Sequence, residues 1–265
     1  MTGGAGTGRD ATEPGARTIA AYRAAHLGDA GGYSATTHSF MREDVVLHMY
    51  EIMLLFRRAF TSLGWTPAAV GEKRLLEVGC AWGLRLAQLL GFGFAPEHLH
   101  GLDLLEPYIT EARRRHPAMR FEVGSATAMT AAAGAYDVSC AVMTLSAMLD
   151  PATIDAALAE MCRVSREGVI IVDSFDPRQE DERHGAVYFR GVAPAHLERL
   201  RARPDVADIV LLGSFWTSSR LVWRLHGLLR RLAPSLAYAV AVRWLAPHSH
   251  RGYLIRLRPA PGSAA

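Results

Sequence analysis

Apolar residues recur every three or four positions over one long stretch of the chain: Val45, Met49, Ile52, Met53, Phe56, Phe60 and Leu63 form a single stripe. Glu43 and Asp44 open this stretch, Arg57 and Arg58 lie near its end and Gly64 follows, so the charges suit a helix dipole and the glycine suits a stop. The spacing predicts an amphipathic helix whose Met and Phe stripe belongs to a core. From Lys73 the period changes. Short apolar runs at Arg74 to Val78, His98 to Asp103, Arg120 to Val123, Tyr136 to Val142, Gly168 to Asp173, Asp208 to Gly213 and Gly252 to Leu257 predict strands. Helices lie between the early ones. Glu106-Pro107 opens one, and Asp150-Pro151 opens another over Ala152 to Cys162, each with proline at its first position. Repeated β-α-β order implies a mostly parallel sheet covered by helices on both faces, the Rossmann-like arrangement. Such a sheet binds its ligand at the carboxyl ends of the strands, beside the first strand where the strand order reverses.

The ends of the chain read differently. Residues 1–17 are rich in Gly, Thr and Ala and predict a disordered tail; Thr18 to Leu27 suits a short helix, and Tyr33 to Phe40 a polar loop. Between the sixth and seventh strands a short turn suffices, yet 216–248 supply more than thirty residues. There Leu221, Leu225, Leu228, Leu229 and Leu232 make an apolar stripe, Pro234 interrupts it and Leu236 to Leu245 resume it. The expected organisation is one domain over 18–258: an N-terminal helical cap (18–66), a core (73–215), a helical insertion (216–248) and a last strand (252–258), with a second tail at 259–265.

One stretch carries the chemistry. Leu75-Leu76-Glu77-Val78 ends an apolar run in an acid; Gly79 and Gly83 follow four residues apart, and Leu84, Leu86, Leu89 and Leu90 continue at helical spacing. This is a strand, a tight loop and a helix start, where glycine lets the backbone take positive φ and approach a ligand. About 20 residues further on, the second strand ends in Asp103, and a carboxylate there can accept both hydroxyl hydrogens of a ribose. Glu77, Gly79, Gly83 and Asp103 together specify a nucleoside cofactor. A dinucleotide fingerprint needs a third glycine just past the second, to pack the helix under a pyrophosphate. Leu84-Arg85-Leu86 fill those places, and Glu77 would repel phosphate while suiting the ammonium of a methionine end.

At this point the sequence resembles the class I S-adenosylmethionine-dependent methyltransferases, whose first motif Glu77-Val78-Gly79-Cys80-Ala81-Trp82-Gly83 matches. The resemblance runs from about Tyr33 to Arg258. It includes Asp103, the Asp137 after Gly134-Ala135-Tyr136, and Glu160 to Gly168 as the helix and turn before strand five. It implies a seven-stranded sheet whose last strand runs antiparallel beside the sixth. It also implies a cofactor site made of Glu77, Gly79, Cys80, Ala81, Gly83, Asp103 and Leu104, completed by Ser125, Ala126 and Met143, with Tyr33 closing over the methionine end. Two departures stand out. Gly124-Ser125-Ala126 replaces the usual Gly-Asp-Ala, leaving a weaker acceptor for the adenine amine, and Ala147 stands where many members carry a histidine.

Methyl transfer from a sulfonium is an in-line displacement, so alignment and exclusion of water matter most. A hydroxyl acceptor also needs its proton removed, and neutral histidine suits that task. His250, before the last strand, and His38, in the N-terminal loop, are the candidate catalytic residues. Cys80, Cys140 and Cys162 have neither metal nor disulfide spacing, and no apolar run reaches membrane-spanning length. The expectation is a cytoplasmic enzyme without a metal. Trp216 to Pro259 carry eight arginines and no acid, so the basic character is local. Those arginines suit an anionic group on a small-molecule acceptor, or a peripheral contact with an anionic membrane. Nucleic acid is not expected, since no aromatic-basic strand motif accompanies them. The expected activity is O-methylation of a specialised metabolite or glycoside. The alternatives are a fold relative that binds the cofactor without methyl transfer, as a scaffold or rearrangement catalyst, and a nicotinamide-dependent oxidoreductase.

Overall fold

The computed structural model describes residues 39–41, 43–148, 150–174, 192–214 and 250–259. The expected N-terminal tail, the helix at 18–27, most of the loop at 33–40, the insertion at 216–248 and the C-terminal tail lie outside them. Helix α1 (Glu43–Ser62) is followed by β1 (Leu75–Val78), α2 (Leu84–Leu89), β2 (Leu99–Asp103), α3 (Glu106–Arg115), β3 (Arg120–Val123) and β4 (Tyr136–Val142). Then come α4 (Pro151–Val164), β5 (Ser165–Ser174), α5 (Pro194–Arg201), β6 (Val206–Ser214) and β7 (His250–Leu257). The seven strands form one sheet in the order β3-β2-β1-β4-β5-β7-β6, in which β7 alone is antiparallel.

Strand alternation divides the core into two layers. Leu75, Val138, Cys140, Ile170 and Leu254 face α1, α2 and α3, while Leu76, Ala141, Val169, Ile171 and Ile255 face α4 and α5. Strand β1 pairs with β2 on one side and β4 on the other, so the order reverses at β1 and leaves a crevice at its carboxyl end.

Helix α1 crosses β5, β7 and β6. A Cβ on Gly168 would lie 3.7 Å from Leu63, and one on Gly252 would lie 2.8 Å from Leu55. The helix thus runs from the carboxyl ends of the strands, near its own start, down to the amino end of β5. Arg58 does not serve the last turn of α1, which holds no basic residue. Its guanidinium instead donates to the Leu212 carbonyl at 2.7 Å, fastening α1 to β6.

The expected turn before strand five is absent. Helix α4 passes directly into β5 at Ser165, whose hydroxyl donates to Ser139 Oγ at 2.8 Å, and Ser139 donates to the Met161 carbonyl at 3.2 Å. These two buried hydroxyls give the junction hydrogen-bonding partners that a loop would otherwise seek from water. Asp137 joins two edges of the same region: its carboxylate accepts from the Arg74 N–H at 2.7 Å and pairs with Arg166 at 2.9 Å.

Candidate active site

Three strands place an acid at their carboxyl ends. Glu77 of β1, Asp103 of β2 and Asp173 of β5 are all buried, and each is held by hydrogen bonds. Asp103 Oδ1 accepts the Leu105 N–H at 2.9 Å, and Oδ2 accepts the Ala81 N–H at 2.9 Å. Burial pushes the Asp103 carboxyl up from its ordinary range, and these backbone donors oppose the rise. Each oxygen keeps a further lone pair for a hydroxyl donor.

The glycine loop is tied down by its own amides. Gly79 and Cys80 both donate to the Leu102 carbonyl, at 2.8 and 3.1 Å, and Gly83 donates to the Cys80 carbonyl at 2.9 Å. With the Ala81 amide on Asp103, these four N–H groups are spent inside the protein. A pyrophosphate needs such groups free, so the loop is not a phosphate cradle, in agreement with its missing third glycine. The two glycines have a further cause besides ligand approach. Gly79 and Gly83 have φ of 72° and 78°; a Cβ at the first would strike the Thr144 side chain, and one at the second would lie 2.7 Å from Phe121. Among the described residues only two others than glycine have positive φ, Ala81 at 46° and Met143 at 54°. Strained backbone of this kind concentrates at ligand sites, and both residues belong to the set that the motif implies.

Glu77 lies deeper than its sequence position suggests. It is wholly buried; Oε1 accepts from Arg85 Nη1 at 2.9 Å, and Oε2 is enclosed without a hydrogen-bond partner among the described residues. Burial raises its pKa, Arg85 opposes that rise, and the charge of Asp103 adds to it. Glu77 therefore acts on the crevice through its charge, from beneath the loop. The Cys80 thiol is likewise core: it packs against Gly101, and burial together with Glu77 holds it well above the ordinary thiol range. Only the backbone of Cys80 belongs to the loop surface.

The remaining expected contacts lie around the same crevice. Leu104 is half-buried next to Asp103, and the Gly124 N–H donates to the Asp103 carbonyl at 2.9 Å, which brings the segment after β3 alongside. Ser125 turns inward on its own chain, with Oγ 2.9 Å from Thr127 Oγ1 and accepting the Thr127 N–H at 3.3 Å. Ala126 packs on the α4 side of the core. The Met143 N–H donates to the Val172 carbonyl at 2.8 Å, fixing the turn after β4 to β5. His250 begins β7, opposite Ser174; its side chain, like Tyr33 and His38, lies outside the described residues.

Three contributors escape a reading of the sequence. Thr144 caps Gly79, with its hydroxyl 3.2 Å from the carbonyls of Val78 and Val142. Asp173 Oδ2 accepts from the N–H groups of Leu145 and Ser146, at 2.9 and 3.2 Å, and so shapes the turn after β4. Its signal was present, since Val169 to Asp173 repeats the pattern of an apolar run ending in an acid. Trp82 sits in the loop with Arg115 over its ring at 4.5 Å and the Tyr108 ring parallel to within 11°. Among the described residues no group of three His, Cys, Asp or Glu is placed to hold a metal.

Residues 75–168, which contain this loop and its acids, match the family model of a methyltransferase domain. The chain has the fold of the class I methyltransferases. Its fold is shared with the plantazolicin methyltransferase BpumL, solved with a triazolic desmethylPZN analog and SAH (16% identity, 91% of this chain and 97% of that one, TM-score 0.59). It is also shared with geranyl diphosphate C-methyltransferase from Streptomyces coelicolor A3(2) (17% identity, 89% and 86%, TM-score 0.53). The [4+2]-cyclase SpnF is similar as well (20% identity, 80% and 81%, TM-score 0.50). A comparison with curated protein sequences finds no match. S-adenosylmethionine is the cofactor of class I methyltransferases, and the residues of this methyltransferase domain fit it: Asp103 offers acceptors for ribose hydroxyls, the spent loop amides disfavour an anion, and the buried Glu77 favours a cation.

Proposed function

We propose that this enzyme uses S-adenosylmethionine to methylate a small molecule, and that the methylated atom is the oxygen of a hydroxyl group on a specialised metabolite or glycoside. The observation that carries the reading is the Asp103 to Ala81 hydrogen bond of 2.9 Å, which joins the acid of β2 to the glycine loop at the sheet's switch point. Bound there, the cofactor supplies a methyl group activated by a sulfonium. The chain's own part is to align and to shield. The loop and Asp103 fix the nucleoside end; Leu104, Ala126 and Met143 give apolar surface that excludes water; Tyr33 closes over the methionine end. His250 takes the proton of the hydroxyl, with His38 as the second candidate.

Several findings support a small acceptor. The similar methyltransferases named above are those of plantazolicin and of geranyl diphosphate. The arginines of 216–248 suit an acceptor with an anionic group. The described cysteines are free and buried, which agrees with a cytoplasmic location, and no described helix is long and apolar enough to cross a membrane. A second reading, cofactor binding with a rearrangement in place of methyl transfer, is favoured by Ser146 and Ala147 standing after β4 where a histidine is usual.

Calorimetric titration with S-adenosylhomocysteine tests the donor half; one site per chain is expected, and absence of heat with a folded protein would sink it. Label transfer from methyl-labelled donor to a panel of hydroxylated metabolites separates the two readings. Saturable cofactor binding with no label on any hydroxyl would replace methyl transfer by the rearrangement.

A further inference from the structure

The crossover from β3 to β4 has no helix. The crossovers into β2, β3 and β5 each use one, whereas 124–135 run in turns with a single bridge between Ser125 and Ala128. The face of the sheet that α4 and α5 cover elsewhere is therefore left open over β2 and β3. A cavity of about 390 Å³ lies there, within the range of roughly 300–1,000 Å³ that small-ligand sites occupy. Its floor is apolar, made by the buried Leu76, Leu102 and Met129. Toward the amino ends of the strands it meets His100 and Tyr136, with His100 Nδ1 3.1 Å from the Tyr136 hydroxyl and the two rings edge to face at 5.2 Å. Arg120, the ladder partner of His100 on β3, lines its exposed side. The roof is fixed in place. The Met129 N–H donates to Glu160 at 2.8 Å, and Arg163 donates to the carbonyls of Met129 and Ala131 at 3.0 and 2.8 Å. The cavity is separate from the cofactor crevice, because Leu102 faces it and the next residue of β2, Asp103, faces the other side of the sheet.

We propose that this cavity is a second ligand site, which takes a small monocarboxylate with an apolar ring or branched body. The polar groups at its edge set the class. Arg120 has no hydrogen-bond or ion-pair partner among the described residues, so its guanidinium is available to an anion. Burial first, and the charge of Arg120 second, lower the pKa of His100 and keep its ring neutral. With the imidazole N–H turned toward the phenol, the Tyr136 O–H is left to donate to a ligand. A carboxylate thus meets one cation and one hydroxyl, while its body lies on Leu76, Leu102 and Met129. Glu122 decides against a doubly charged phosphate. It lies two residues from Arg120 on the same face of β3, with its carboxylate accepting from the Thr130 hydroxyl at 2.7 Å, and its charge opposes a second negative charge on the ligand. The two sites share a wall: a Cβ on Gly124 would lie 2.7 Å from Leu102 Cδ1, and the Gly124 N–H donates to the Asp103 carbonyl at 2.9 Å.

The test titrates phenylacetate, benzoate and isocaproate into the full-length protein with isotope-labelled methionine methyl groups, and follows Met129 by nuclear magnetic resonance, assigned with Met129→Leu. At least one of the three is expected to move the Met129 signal saturably. For that carboxylate, Arg120→Met and replacement of the ligand by its neutral amide should each weaken binding by roughly tenfold, whereas Arg114→Met on α3 should leave it unchanged. S-adenosylhomocysteine at saturation should not displace it. No saturable shift with any of the three acids, or equal affinity in a folded Arg120→Met protein, overturns the assignment. Displacement by S-adenosylhomocysteine overturns it too, by putting the anion in the cofactor crevice. Should Arg120→Met not fold, the comparison of acid with amide in the wild type decides: equal affinities sink the proposal.

Discussion

Asp103 on β2 holds the amide of Ala81 in the glycine loop, two residues brought together from 22 positions apart in the chain. The bond makes one carboxylate serve both loop shape and ligand binding. Asp103→Ala removes both, and a hydrogen bond to a charged group is worth about 1.5–3 kcal/mol. Calorimetry is expected to show S-adenosylhomocysteine affinity falling at least tenfold, with a smaller loss for Asp103→Asn, which keeps one acceptor.

Gly79 admits no side chain. At φ of 72° any L-residue pays roughly 1–2 kcal/mol, and the new Cβ would also strike Thr144. Gly79→Ala should lower thermal stability and abolish cofactor binding. The same change in a Thr144→Ser background should be milder, because one of the obstructing atoms, Thr144 Cγ2, is gone; equal losses in both backgrounds would show that strain alone decides.

Arg85 and Glu77 form an ion pair on side chains that are 9% and 1% exposed. Arg85→Met strands a buried carboxylate, and removing one partner of such a pair costs about 3–5 kcal/mol. Adding Glu77→Gln should restore part of the loss. The pH dependence has a definite sign. Glu77 has a raised pKa in the fold, so the folded protein binds its proton more readily than the unfolded chain does; its ionised form weakens the fold at neutral pH and that cost is relieved on acidification. Chemical denaturation should show the wild type gaining on Glu77→Gln as pH falls from about 7 toward the ordinary Glu range.

Asp155 gives the opposite sign. It pairs with His196 at 2.7 Å and with Arg199 at 2.8 Å, joining α4 to α5. Burial alone would raise its pKa, but these two partners bring it below the usual carboxylate value. Its contribution is present above the unfolded value and is lost as pH falls through the folded one. Asp155→Asn should therefore lower the melting temperature at neutral pH, and the difference from wild type should vanish in strong acid.

Much of the sheet was legible because a buried parallel strand leaves a continuous apolar run, and Ile170 to Val172 or Val138 to Val142 can be read directly. Strand ends were less legible. Ser165 to Glu167 are polar, and only the hydroxyl contacts of Ser139 and Ser165 explain why the strand starts there. The donor half of the site was legible for a related reason: glycines and terminal acids are demanded by backbone geometry, which leaves a local trace. Thr144 was not, since its role depends on neighbours from another strand. The burial of Glu77 and its pairing with Arg85 left no trace, because Arg85 reads as one more arginine of a helix.

Arg58 and the paired Gly213 and Gly252 fasten α1 to the last two strands. The segment that follows the N-terminal region and the hairpin that closes the sheet are thereby one mechanical unit, although most of the sequence separates them. Recombination between related chains should respect that unit. A chimera that exchanges α1 together with β6 and β7 keeps the glycine contacts intact, whereas exchanging either alone sets a foreign helix against strands whose side chains were omitted to fit another.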